Sequence, residues 1–252
     1  MLGPAGHGWT ENDDPPPGAT LHGRKGAEVA SAFDVAHAAG LRTGLFAGKT
    51  KFSLYEASYG APRGPARRSL DEFAFRAAMA EVTGDVLRAL REQPRCLLLA
   101  HYADADLAGH AAGWDLTPGS RYLRALAQVD AELGRILDEI EASPRLRGRI
   151  ALVVTTDHGG GAPLRGHGQV HLWINYVVPF LVWSGDEAAR GDLYELNPGR
   201  RREPGLSRPR PDDPLPPPVR NGDAGNLALD LLGLPPIPGS TLNAAQDLRV
   251  RP

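Results

Sequence analysis

The chain has 252 residues, 42% of them hydrophobic, which is enough to bury a sizeable core in one large α/β domain or two small ones. Its formal net charge of −2 argues against a polyanion as the main partner, because nucleic-acid-binding domains are usually strongly basic. The single cysteine, Cys96, excludes an intramolecular disulfide and a cysteine-based zinc cluster, and it is expected to be a small core hydrophobe.

Lysine occurs only at Lys25, Lys49 and Lys51, whereas the chain contains 30 Gly and 23 Pro. This composition is typical of translation from a GC-rich genome and indicates a bacterial protein. No stretch is apolar enough to span a bilayer, and residues 1–14 lack the basic segment and apolar core of a signal peptide. A cytoplasmic location is therefore the default expectation.

The first part of the chain predicts one helix and one strand between irregular segments. Residues 1–26 are expected to be irregular, because their three consecutive prolines cannot continue a helix or a central strand. Apolar residues at helical spacing predict a helix over 27–39, which Gly40 would end. A short strand over 42–47 follows, and the prolines and glycines of 52–68 indicate a loop.

The middle of the chain predicts two helices on either side of a strand. Ser69 with Glu72 three residues later forms a capping-box pattern, which predicts a helix over 69–92. An apolar run predicts a strand over 95–101. A Thr-Pro-Gly-Ser turn then precedes a long amphipathic helix, expected over 121–142.

The last third predicts two strands and a short helix. The strands cover 150–155 and 177–183, and Pro179 inside the second indicates an edge or a bulge. Residues 197–220 are rich in Pro and Arg and are expected to form a long surface loop, followed by a helix over 224–232. Helices that alternate with short apolar strands predict an α/β fold, with a mostly parallel sheet covered on both faces.

Asp106 and His110 form the first chemical motif. They are four residues apart, so on one helical turn their side chains can converge on a single ion. His101, Asp104 and Asp115 lie near them in the sequence and are candidate partners that would orient the imidazole. The alternative is a set of polar residues in a solvated loop.

Asp157 and His158 form the second motif, directly after a predicted strand. Neighbouring residues on a strand point to opposite faces, so both can bind one ion only if the chain turns sharply, which the glycines of 159–161 permit. His167 follows between two glycines and is a candidate third ligand, with His171 a less favoured substitute. A polar turn and a surface histidine are the alternative interpretations.

Both motifs combine carboxylate and imidazole donors near the end of a predicted strand. Hard oxygen and borderline nitrogen donors suit Zn²⁺ or Mn²⁺. Two such half-sites in one chain suggest a pair of metal ions, the arrangement that is used to displace groups at phosphorus.

The order of these motifs resembles that of the alkaline phosphatase superfamily. It consists of Asp-x-x-Gly-His at 106–110, Thr-Thr-Asp-His-Gly-Gly at 155–160, and then His167. Within the superfamily the chain is most similar to the type I phosphodiesterase/nucleotide pyrophosphatase group and its bacterial sulfatase-like relatives. Further similarity covers 30–59, 176–183 and 220–239.

The resemblance implies a doubly wound α/β sandwich in a single domain over 1–252, with the site at the carboxyl ends of the strands. It also implies two divalent metal ions, zinc being expected and manganese the alternative. Asp106, His110 and His167 would hold one ion, and Asp157 and His158 the other.

One feature of the family has no counterpart in this sequence. The family places another metal-binding Asp and a Ser or Thr nucleophile upstream of a His-Gly motif, which His7-Gly8 resembles here. Six residues precede His7, and none is Asp, Ser or Thr; Thr10 follows the motif without a strand before it. The first strand, one Asp ligand and the nucleophile are therefore expected to be missing, either in a fragment or in a natural truncation with impaired chemistry.

The sequence thus predicts a metal-dependent hydrolase of phosphate mono- or diesters that acts on a small-molecule substrate, with sulfate or phosphonate esters as nearby possibilities. Two alternatives stay open. One is a non-catalytic metal-binding pseudoenzyme or fragment. The other is a phosphomutase-like relative, which would need the same nucleophile and for which the sequence offers no dedicated sugar-phosphate motif.

Overall fold

The computed structural model describes residues 4–60, 68–161, 163–185, 190–205 and 216–251. Its helices are α1 (Pro4–His7), α2 (Leu21–Lys25), α3 (Ala32–Ala38), α4 (Ser53–Tyr55), α5 (Met79–Glu92), α6 (Asp104–Ala112), α7 (Arg121–Ala142), α8 (Leu193–Leu196) and α9 (Ala224–Leu231). Its strands are β1 (Arg42–Ala47), β2 (Glu72–Phe75), β3 (Cys96–His101), β4 (Leu152–Thr155) and β5 (Phe180–Trp183). Short turns of 3-10 or π-helix cover Thr50–Phe52, Glu56–Gly60, Trp173–Asn175 and Asn221–Asp223.

Three of the strands form a parallel sheet in the order β2-β1-β3. The other two, β4 and β5, pair antiparallel with each other in a separate ladder. Pro179 lies directly before β5, which pairs with β4 alone among the described strands, as expected for an edge strand. The parallel sheet with its flanking helices confirms the predicted α/β fold class.

The central strand β1 has both faces covered by helical layers, and its residues alternate between two cores. Phe46 packs in a cluster with Val86 of α5 and Ile140 of α7. Its neighbours Leu45 and Ala47 pack on the opposite face, in a second buried cluster that includes a residue of α3. This alternation follows the two-residue period of a strand, and it explains why the short run in β1 is buried almost throughout.

The predicted helix start at Ser69 is wrong. The segment Glu72–Phe75 is strand β2, and helix α5 begins only at Met79. The Ser69 side chain is buried and makes no hydrogen bond within the described structure, while the Asp71 carboxylate accepts from the backbone N–H of Thr43 on β1. Glu72, the acid of the expected capping box, accepts a hydrogen bond from Arg42 of β1 and therefore bonds across the sheet instead.

Two segments that the sequence assigns to irregular structure contain helix. Within 1–26 the structure has α1 and α2, and the Thr20 hydroxyl caps α2 by accepting from the N–H of Gly23. Within 52–68, helical turns continue to Gly60. Residues 1–3 and 61–67 lie outside the described residues.

The remaining predicted elements are confirmed, with ends that shift by up to five residues, as at the start of α3. Ser31 and Ser120 cap α3 and α7 through their hydroxyls, and Gly233 with its positive φ follows α9. The described ends of the predicted surface loop contain two buried side chains, Asn197 and Arg201, and 206–215 lies outside the described residues. Among the described helices, none is both long and apolar enough to cross a bilayer.

The packing of α7 can be tested with two truncations on one helix. Ile140 is fully buried, so Ile140→Ala should lower the free energy of unfolding by about 2–5 kcal/mol through lost burial and a residual cavity. Leu126 belongs to the same apolar set in the sequence but is 37% exposed, so Leu126→Ala should cost much less. Urea unfolding of both variants checks this, and equal losses would contradict the described face of α7.

Candidate metal centre

The candidate centre lies where three strands end. The carboxyl end of β1 leads to Lys49, β3 leads into α6 with Asp106 and His110, and β4 leads to Asp157 and His158. Because β1 and β3 are parallel neighbours, their carboxyl ends meet at one edge of the sheet. The side chains that follow these strands are therefore delivered to a common place.

Asp106 stands at the middle of the cluster. Its Oδ1 lies 3.3 Å from His110 Nε2, 3.6 Å from His158 Nε2 and 3.8 Å from His167 Nε2. The ligand atoms of Asp106, His158 and His167 all lie within 4.8 Å of one another. Side chains from three separate stretches of the chain thus converge on one carboxylate oxygen.

Two of the imidazoles have their tautomer defined by a backbone carbonyl. His158 Nδ1 is 2.9 Å from the carbonyl oxygen of Gly159, and His110 Nδ1 is 2.7 Å from that of Arg165. A carbonyl oxygen only accepts, so each Nδ1 carries the hydrogen and donates it. In the neutral ring Nε2 then keeps its lone pair, and it is Nε2 that faces Asp106, as in histidines that bind metals.

Lys49 belongs to the cluster, although sequence analysis did not select it as a site residue. Its Nζ is 2.6 Å from Oδ2 of Asp106, in a partly buried ion pair. Burial acts to raise the pKa of Asp106, but the hydrogen bond and charge of Lys49, together with His110 and His158, hold it below its ordinary value. Its position just after a parallel strand next to β3 is the signal that could have identified it.

Asp157 lies at the exposed rim of the cluster, with 67% of its side chain accessible. Its Oδ2 is 3.6 Å from His158 Nε2, so the turn does bring the two neighbours together. The Asn221 side chain fixes this turn by donating to the backbone carbonyls of Thr156 and Asp157. Asn221, from the far end of the chain, is a second residue that sequence analysis missed.

The division of ligands between two ions stays a prediction. The sequence groups Asp106 with His110 and His167, and Asp157 with His158. In the structure His158 lies as near to Asp106 as to Asp157, with Nε2 3.6 Å from an oxygen of each. The two predicted half-sites therefore adjoin and share the region between these carboxylates.

His167 stacks directly on His158, with ring centroids 3.4 Å apart and planes at 16°. Burial, followed by the nearby charges of His158 and His110, lowers the pKa of His167, against an opposing contribution from Asp106. His171 is exposed and is not in the cluster of potential ligands among the described residues. Of the two histidines considered as a third ligand, the structure thus brings His167, the favoured one, to the cluster.

The three predicted orienting residues occupy different surroundings. His101 ends β3, where its ring packs on Phe52, and burial with the charge of Lys49 lowers its pKa to about 4. Burial raises the pKa of Asp104, which is in the first turn of α6. Asp115 accepts from the N–H of Thr117 and shapes the turn before α7. Their role in orienting an imidazole stays a prediction.

Cys96 is not a nucleophile candidate. Burial raises the pKa of its thiol to about 11, so the thiolate is scarce at neutral pH. The side chain lies in β3 and packs against the core cluster of α5 and α7. This agrees with the sequence-based view of Cys96 as a small core hydrophobe.

The donor set fits a divalent cation. Asp106 Oδ1 is buried and accepts no hydrogen bond within the described structure, although three imidazole nitrogens surround it. A buried carboxylate oxygen without a donor is costly. A cation that accepts lone pairs from the carboxylate and from neutral Nε2 atoms would satisfy all of them.

Comparison with known proteins gives related enzymes. The sequence model of the type I phosphodiesterase / nucleotide pyrophosphatase family matches residues 19–177. A 2,3-bisphosphoglycerate-independent phosphoglycerate mutase of Gloeobacter violaceus is 29% identical over 147 residues, covering 52% of this chain and 25% of the mutase. The corresponding mutase of Clostridium novyi is 26% identical over 144 residues, covering 52% and 25%.

The chain spans about a quarter of the length of the curated relatives it matches. The matched family segment runs from the region before α2 through β1, β3 and β4 to Val177, beyond His167, so it includes every candidate ligand. Since this segment is more than half of the sequence, the chain belongs to the type I phosphodiesterase/nucleotide pyrophosphatase family of the alkaline phosphatase superfamily.

Proposed function

We propose that the chain is a metal-dependent hydrolase of phosphate mono- or diesters. Its candidate ligands for two divalent ions, zinc or manganese, are the side chains around the Asp106 carboxylate: Asp106, His110, Asp157, His158 and His167. The observation that carries the proposal is the buried Oδ1 of Asp106, which has three imidazole Nε2 atoms within 3.8 Å and no hydrogen-bond donor among the described residues.

The chain's own groups would prepare the site for an anionic ester. Neutral imidazoles present lone pairs at Nε2, and the backbone carbonyls of Gly159 and Arg165 keep two rings in that tautomer. Lys49 adds a positive charge beside Asp106. When bound, the ions would supply Lewis-acid stabilisation of the charge that develops on phosphoryl oxygens. The nucleophile stays unassigned.

The similarity to phosphoglycerate mutases favours a second candidate, a phosphomutase-like transfer of a phosphoryl group. A hydrolase passes the group to water, whereas a mutase returns it to a carbon-bound hydroxyl. A metal-binding pseudoenzyme is the third reading. Turnover of simple aryl esters favours the hydrolase, turnover of phosphoglycerate the mutase, and metal uptake without either favours the pseudoenzyme.

The ligand assignment predicts selective losses of metal binding. The wild-type chain should bind Zn²⁺ or Mn²⁺, and Asp106→Asn or His158→Ala should weaken binding at least about tenfold, by comparison with known losses from changes around metal ligands. Isothermal titration of the metal-free protein measures this. His171→Ala is the matched control, because His171 is an exposed histidine outside the cluster.

Thermal melts in a chelator should show that the variants are folded before metal is added. Wild-type protein that takes up no metal above background, or a loss with His171→Ala equal to that with His158→Ala, would defeat the assignment. Equal binding by wild type and Asp106→Asn would do the same.

Activity should depend on the same residues. p-Nitrophenyl phosphate and its bis-ester should be hydrolysed with added Zn²⁺ or Mn²⁺, and Asp106→Asn should reduce the rate by at least about tenfold, since the carboxylate at the centre is lost. Release of p-nitrophenolate measures the rate. Hydrolysis unaffected by chelator and by Asp106→Asn would place the activity elsewhere.

His167 and His101 are expected to be neutral at pH 7, because the pKa of each is lowered, and metal binding requires a neutral ligand imidazole. Burial is the largest cause of the lowered pKa both in His167 and in His101. For His101 the folded value of about 4 lies below the ordinary 6.5, so the proton binds more weakly in the folded state. As far as it depends on His101, the free energy of unfolding is therefore highest above about pH 6.5 and falls as the pH drops towards 4.

His101→Phe, which keeps a ring and removes the titrating group, tests this dependence. Between pH 7 and pH 5 the metal-free wild type should lose about 1–2 kcal/mol more of its unfolding free energy than the variant. Urea unfolding at the two pH values gives the difference. Equal losses would show that the imidazole of His101 titrates normally.

A further inference from the structure

Trp114 lies between the parts of the chain that carry the candidate ligands. It follows α6 by two residues and is only 5% exposed. Its ring is edge-on to His110, with centroids 5.4 Å apart, and to His167, with centroids 6.1 Å apart and planes at 89°. One indole therefore contacts an imidazole of α6 and an imidazole of the loop beyond β4.

Two glycines lie against the same indole. A Cβ on Gly109 of α6 would lie 2.4 Å from Trp114 Cε2, and a Cβ on Gly160 would lie 2.4 Å from the same atom. Such distances are not tolerated, so both backbones approach the ring more closely than any other residue would allow. Gly109 adjoins His110, and Gly160 is two residues beyond His158.

Neither glycine is needed for its backbone angles, because neither has a positive φ. Gly109 is inside a helix, where glycine is less stable than alanine because it loses more conformational freedom on folding. The space that the indole occupies therefore explains why both positions are glycine. A helix-destabilising residue in α6 thus allows Trp114 to pack against the backbone beside His110.

We propose that Trp114 is a positioning residue for the candidate metal centre. Its indole sets the separation between α6, with Asp106 and His110, and the loops with His158 and His167. The proposal rests on the proposed function for its metal-binding consequence, whereas the spacing of the rings can be measured without metal. Trp114 itself offers no ligand atom.

The first test compares two tryptophan truncations. Trp114→Phe should weaken Zn²⁺ binding about tenfold and alter the visible spectrum of bound Co²⁺, because the ligands would no longer meet at the same spacing. Trp183→Phe is the control, since Trp183 is partly buried against the core cluster of α5 and α7 and pairs with Leu152 at the other end of β4. The control should change the affinity less than about twofold. Similar losses and unchanged Co²⁺ spectra in both variants would overturn the proposal.

The second test uses the close contact with Gly160. Gly160→Ala should weaken Zn²⁺ binding strongly in the wild-type background, because its Cβ would displace the indole. In a Trp114→Leu background the same alanine should cost little, since the obstructing ring is gone. Non-additive losses of this kind indicate direct coupling. Additive losses would count against the positioning role, because Gly160 would then act independently of Trp114.

The third measurement separates this proposal from the proposed function. In metal-free protein, NMR should detect ring contacts between His158 and His167, and Trp114→Phe should weaken them while Trp183→Phe leaves them intact. If the wild type binds no metal but the ring contacts respond in this way, the function fails and the positioning role stands. If the contacts are unchanged in Trp114→Phe, the positioning role fails whatever the metal affinity.

Discussion

The half-buried carboxylate of Asp106 is the group on which the arrangement of the centre depends. It occupies the first turn of the helix after β3, so the sheet fixes its position. Burial disfavours its charge, yet the ion pair with Lys49 and the nearby imidazoles keep the pKa below the ordinary value. An ionised carboxylate at this point attracts the ammonium group of Lys49, and a divalent cation would join it to the lone pairs of the surrounding imidazoles.

Charge alone does not fix distances, and the structure shows what does. Parallel pairing of β1 with β3 places Lys49 and α6 at one edge of the sheet. The loop after β4 is attached by the contact of Asn221 with the carbonyls of Thr156 and Asp157. Trp114 fills the space between this loop and α6, where two glycines admit it. The hydrogen bonds between β1 and β3, the side-chain amide of Asn221 and the indole of Trp114 therefore together hold the imidazoles near Asp106.

Local patterns in the sequence predict the elements well, and contacts distant in sequence explain the failures. The apolar runs of β1 and β3 and the helical period of α7 are local, so their positions follow from the sequence. Strand β2 is misassigned because Ser69 and Glu72 satisfy a helix-capping pattern, and only the bond from the distant Arg42 shows that Glu72 pairs across a sheet. The motif residues are recognisable by type and spacing, whereas Lys49, Asn221 and Trp114 join the centre through tertiary contacts that no spacing rule contains.

If these side chains hold divalent cations, anomalous diffraction at the zinc edge should locate them in crystals grown with Zn²⁺. We expect a strong peak about 2.0–2.2 Å from Asp106 and from the Nε2 of at least one clustered imidazole. A second peak beside Asp157 would support a two-ion centre. Zinc found only at other surface groups, with Lys49 still paired to Asp106 and no ion at the imidazoles, would show that the cluster is not a metal centre.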